Sequence, residues 1–168
     1  MSDWRMQKRL SDRFLPEIKR ILGVYLIAEP PVEEDAERNT DLTVLRLDAI
    51  RIACRVRSHE YMKYRDQFTI RNRVASGSKT ELTKIIEGWG DYFFYGISNT
   101  EETNLSHWIL GDIKALRLHI SKLLYKRQLP WIAERHNHDG MSSFVVFRYN
   151  DIGGFLLASS KDREAIHA

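Results

Sequence analysis

The chain has 168 residues, 43% of them apolar and 11% aromatic, enough for a single domain over residues 1–168 with a true core. Cys54 is the only cysteine, which excludes an internal disulfide and a thiolate zinc cluster, and no apolar run approaches the ~20 residues of a membrane span. The net charge of +3 is modest, but Arg51, Arg55, Arg57, Lys63, Arg65, Arg71, Arg73, Lys79 and Lys84 crowd into one third of the chain, a pattern suited to phosphate backbones.

Taken in order, Trp4–Leu26 reads as a helix with Phe14, Ile18, Ile21 and Leu22 at helical spacing. Pro16 starts a second helical piece and Gly23 ends it, leaving Val24–Ile27 extended. Glu29–Asn39 is acidic, contains Pro30 and Pro31, and reads as a loop or short helix. Leu42–Leu47 and Ala49–Arg57 are expected as strands around a turn at Leu47–Asp48. In the second of these, Ile50, Ile52, Cys54 and Val56 alternate with Arg51, Ala53, Arg55 and Arg57, which predicts a buried apolar face and an outward basic face. Cys54 falls on the apolar face as an inert buried thiol.

Ser58–Arg65 is a polar connection and Gln67–Arg71 a further strand. Ser76–Thr80 (SGSKT) is a loop, and Thr80 caps a helix with Leu82, Ile85, Ile86 and Trp89 on one face. Gly88 and Gly90 stop that helix before a buried strand, Tyr92–Ile97. Asn104–Arg127 reads as the longest amphipathic helix, ended by Pro130; His136–Gly140 is a turn, and Ser142–Tyr149 and Phe155–Ala158 are strands. The alternation predicts an α/β (α+β) chain with a mixed central sheet flanked by helices.

Several motifs are better explained without chemistry. His136, His138 and Asp139 could face a metal, but polar turns of this kind are usually solvated. The SGSKT loop lacks the first glycine of a nucleotide-binding loop. The aromatic run Tyr92–Tyr95 could stack on unpaired bases but is more simply core.

An acid at Asp41 opening one strand, basic residues along Ile52–Arg57 in the next, then the helix Leu82–Gly90 and the strand Tyr92–Ile97, resemble the restriction-endonuclease-like (PD-(D/E)xK nuclease) superfamily, nearest to an archaeal-type Holliday-junction resolvase core. The resemblance covers about residues 15–97, with a helix and strand added over about 104–158. It implies a magnesium-dependent DNA endonuclease or resolvase, in which acids hold the metal and a cation stabilises the developing charge. Asp41 and Glu81 would ligate magnesium; Lys84 or Arg55 would stabilise the transition state; Arg51, Arg57, Arg71, Arg73 and Lys79 would hold DNA phosphates.

The sequence departs from the superfamily's pattern at two places. Ala53 stands where the second acid belongs and Arg55 where the lysine belongs; arginine does not release a proton near neutral pH. The second acid then comes from Glu81, with Lys84 three residues on, or from Asp35 or Glu37 upstream. Phe68–Arg71, Ser76–Leu82 and Gly88–Gly96 also resemble uncharacterised phage or prophage proteins. Two alternatives stay open: a fold that binds DNA without chemistry, and an assembly protein whose long helix and Ser142–Tyr149 strand form a homodimer. The charged N-terminus carries no signal sequence, so a cytoplasmic location is expected.

Overall fold

The computed structural model describes residues 3–28, 43–44, 50–137 and 140–161, in two compact units, Met1–Ala49 and Ile50–Ala168. In the first, α2 (Leu15–Leu26) carries the buried Ile18, Ile21 and Leu22, and the buried Phe14 sits between it and α1 (Asp3–Arg13). Pro16 lies in the first turn of α2, where a missing N–H costs little. Gly23 does not end this helix: it sits inside α2, since one glycine costs only ~1 kcal/mol against a face already anchored by Ile18, Ile21 and Leu22. The extended stretch shrinks to β1 (Ile27–Ala28), which pairs antiparallel with β2 (Thr43–Val44). Asp35, Glu37, Asp41 and the Leu47–Asp48 turn lie outside the described residues.

The second unit holds a mixed sheet and an antiparallel one. The mixed sheet runs β3 (Ile52–Arg57), β5 (Tyr92–Ser98), β6 (Leu105–Asp112), β9 (Leu156–Ser159) in spatial order. β3 and β5 are parallel, and the remaining neighbours are antiparallel. The second sheet runs β4 (Gln67–Val74), β8 (Ser142–Arg148), β7 (Ala133–His136), all antiparallel. Helix α3 (Glu81–Ile86) follows β4, and α4 (Ile113–Tyr125) follows β6. The expected mixed sheet with flanking helices is present. No helix among the described residues is long and apolar enough to cross a membrane.

Phe68 of β4 joins the sheets: its ring lies 4.8 Å from Phe155, 5.4 Å from Phe147 and 5.6 Å from Phe93. Ile85 of α3 and Ile113, Leu116 and Ile120 of α4 complete this cluster. Thr80 caps α3, its hydroxyl accepting from the Thr83 amide at 3.1 Å, and Gly88 and Gly90 leave the helix at positive φ of 98° and 84°.

The largest correction concerns Asn104–Arg127. Residues Leu105–Asp112 are a strand, and only Ile113–Tyr125 is helix. His107 through Gly111 are all buried, so periodicity cannot separate strand from helix there. Asp112 marks the true helix start, its carboxylate accepting from the Lys114 and Ala115 amides at 2.6 and 3.2 Å. The 104–158 segment is therefore not an appendage to a core ending near Ile97: β6 lies between β5 and β9, and β8 pairs β4. Because β8 is the middle strand of its sheet, its edges are already paired and offer no strand edge to a second copy. His136 ends a strand, β7, that the turn reading missed, and Ser58–Arg65 contains a 3-10 helix, His59–Tyr64.

Candidate nucleic-acid interface

Parallel pairing sets Arg55 beside Tyr95 and Arg57 beside Ile97. Paired residues share a face, so the basic side of β3 lies on the same side as the core residues Phe93, Tyr95 and Ile97. The expected solvent-facing basic side therefore holds only at its start: Arg51 and Ala53 are exposed, whereas Arg55 is half-buried and Arg57 buried. The physical reason is the second sheet and α3, whose polar groups meet these arginines. Arg55 Nη1 donates to the Thr69 carbonyl at 2.8 Å, and Nη2 pairs with Glu81 Oε2 at 2.6 Å. Arg57 Nη2 donates to Thr69 Oγ1 at 2.8 Å. The opposite face is closed as well: Val56 is buried, and Phe94 stacks on Trp108 at 5.7 Å.

Glu81 Oε2 also accepts from the Arg71 amide at 3.0 Å. Burial pulls the Arg55 guanidinium down from its ordinary value, and the adjacent Glu81 carboxylate pushes it back up. Burial raises the Cys54 thiol, consistent with an inert cysteine.

Of the residues singled out in the sequence, the fold brings Arg55, Arg57 and Glu81 together with the Arg71 backbone, and leaves the others apart. Lys84 is exposed one turn beyond Glu81. Arg51 lies over the Trp89 ring at 5.9 Å, Lys79 pairs with Glu87 at 2.8 Å, and Arg73 is exposed. Arg57 is only 6% exposed, too buried to grip a phosphate backbone. His138 and Asp139 fall outside the described residues. Glu81 is a poor match to a magnesium ligand, because a divalent cation there would compete with a guanidinium already 2.6 Å away. Among the described residues, no three His, Cys, Asp or Glu side chains come together around it or elsewhere.

The fold builds a different concavity on the outer face of the antiparallel sheet, with a volume of about 610 Å³. Alternation turns Phe68, Val145 and Phe147 toward the core and Thr69, Val146 and Phe144 outward. Its aromatic lining is Tyr61 and Tyr64 from the 3-10 helix, Tyr95 from β5 and Phe144 from β8; its cations are Arg135 and Arg148. Arg148 is held by Asp66 at 3.2 Å and Asp151 at 3.5 Å. In the ladder, Phe144 pairs with Arg71 on one side and Arg135 on the other. Neither arginine makes an ion pair among the described residues.

The sequence pattern does not reveal this cleft, because it marks no element over Ala133–Arg135, a turn from His136, and only a connection around Tyr61 and Tyr64. The only local signal was the spacing of Phe144, Val146 and Arg148 along one strand face. The chain matches no family model, no curated protein and no solved structure.

Proposed function

We propose that this chain is a nucleic-acid-binding protein. The observation that carries the reading is the outer-face row Arg71–Phe144–Arg135, two guanidiniums that make no ion pair among the described residues on either side of an aromatic ring. Such a row suits a phosphate backbone: bound counterions leave as the guanidiniums engage, while the ring contacts a base. Arg73 and Lys84 are exposed as well, whereas Arg148 is already paired with Asp66 and Asp151.

The test is fluorescence anisotropy against labelled oligonucleotides over a salt series. Affinity is expected to fall steeply with salt, and Arg71→Ala with Arg135→Ala should each lower the single-strand slope by about 0.7. A flat salt response in the wild type, or variants with the wild-type slope, would sink the proposal.

A second reading, a magnesium-dependent nuclease of restriction-endonuclease-like type, keeps Arg55 as the cation but needs its metal held by Asp41 and an acid other than Glu81, which Arg55 already engages at 2.6 Å. Incubating the same oligonucleotides with magnesium or manganese separates the two. If the nuclease reading holds, cleavage should occur and should vanish in Asp41→Ala while folding is retained. If binding occurs with no cleavage under either metal, only the binding module survives.

A further inference from the structure

We infer that the tyrosine-lined cleft receives a single nucleotide unit, an unpaired base together with its phosphate. The inference rests on the nucleic-acid reading above and specifies where and in what form the ligand enters.

The cleft has the dimensions for this: its roughly 610 Å³ falls within the ~300–1,000 Å³ typical of small-ligand sites. Its aromatic groups come from separate elements, Tyr61 and Tyr64 from the 3-10 helix, Tyr95 from β5 and Phe144 from β8. Tyr64 is 46% and Tyr61 37% exposed, leaving ring surface for a base to cover. Tyr61 is also braced: the Arg57 guanidinium lies over its ring at 5.2 Å and is itself tethered to Thr69 Oγ1 at 2.8 Å. A braced ring loses little freedom when a base stacks on it.

The polar groups define what the base presents. Thr69 Oγ1 accepts from Arg57 at 2.8 Å and from Arg55 at 3.3 Å, so guanidinium donors occupy its lone pairs. Its own O–H is then left to donate, and Thr69 lines the cleft. A base carbonyl is the matching acceptor. Arg135 also lines the cleft and carries no ion pair among the described residues, which suits the phosphate. A base inside a duplex is stacked and paired and cannot enter such a site without being extruded. The cleft therefore selects single strands, bulges or free nucleotides over intact duplex.

The experiment uses the full chain with a fluorescein-labelled single strand of mixed sequence, the matching duplex, and thymidine monophosphate as competitor. Tyr64→Ala is expected to weaken single-strand binding by about 5- to 100-fold, the loss of one base–aromatic stack. Duplex binding should be unchanged, and Tyr64→Phe should restore the single-strand affinity. Competition by the monophosphate would identify a free nucleotide as sufficient. Absence of competition, with the Tyr64→Ala loss intact, would identify a base read within a strand; either supports the cleft.

Strand binding that is indifferent to Tyr64→Ala, or a loss shared equally by the duplex, overturns the inference while leaving the nucleic-acid reading standing. If the wild type binds no oligonucleotide, that reading falls. Calorimetry with the monophosphate then decides the cleft alone, and no heat of binding overturns it.

Discussion

Replacing Gly111 by alanine is expected to lower the melting temperature by on the order of 10 °C, corresponding to about 3 kcal/mol. A Cβ at this position would stand 2.2 Å from Phe155 Cζ and 2.5 and 2.7 Å from its Cε atoms. Phe155 is fully buried, and its ring stacks on Phe68 at 4.8 Å, so it cannot move aside without disturbing the ring that joins both sheets. Nor can the backbone yield easily, because the Asp112 amide is bonded to the Phe155 carbonyl at 2.8 Å beside the register shift at Gly111. Thermal unfolding of Gly111→Ala, and of Gly111→Ala combined with Phe155→Leu, checks this. The double variant should recover part of the loss, because the colliding ring is gone. A melting temperature within 2 °C of wild type in the single variant would refute the packing argument.

Glu81→Ala is expected to destabilise the fold by about 2–3 kcal/mol. That is below the ~3–5 kcal/mol of a fully buried broken pair, because the Arg55 and Glu81 side chains keep 16% and 25% exposure. The loss has two parts: Arg55 is left as a half-buried charge without its counterion, and the Arg71 amide loses its acceptor. A double-mutant cycle with Arg55→Ala, read by denaturant unfolding, isolates the pair. The expected coupling is about 1–3 kcal/mol, and strictly additive single effects would rule out the strut role. Glu81→Gln should cost less than Glu81→Ala, since its amide oxygen can still accept from Arg55 and Arg71. The same cycle bears on chemistry. If Glu81 is chiefly a strut between α3, β3 and β4, its removal costs stability. A metal ligand surrounded by like charges would instead gain stability on removal.

The comparison of strands shows where sequence patterns stop being informative. Tyr92–Ser98 was legible because glycines at positive φ isolate it on one side. The Thr80 cap was legible because a threonine before Glu81 and Leu82 is a local hydrogen-bonding signal. Leu105–Asp112 was not, because a strand covered on both faces has no period, and its apolar residues merge with those of the helix that follows. Two local clues were available there, Gly111 inside the supposed helix and Asp112 as a cap, and both point to a boundary.

The alternation of Arg51, Ala53, Arg55 and Arg57 with apolar residues correctly indicated a strand with two unlike faces. It could not say which face turns inward. Alternation is a property of the backbone, settled within a few residues, whereas orientation depends on what packs against each face. The second sheet reaches Arg55 and Arg57 through Thr69, and α3 reaches Arg55 through Glu81, from 12 to 26 residues away in the chain. The cleft is the same kind of product, since Tyr61, Tyr95, Arg135 and Phe144 meet only after two sheets have assembled. By itself the sequence determined the α/β character, the helix cap, the glycine turns and the positions of most strands, all set by local backbone energetics. Tertiary structure alone decided which arginines are structural and which face outward, because burial depends on long-range partners that no local pattern encodes.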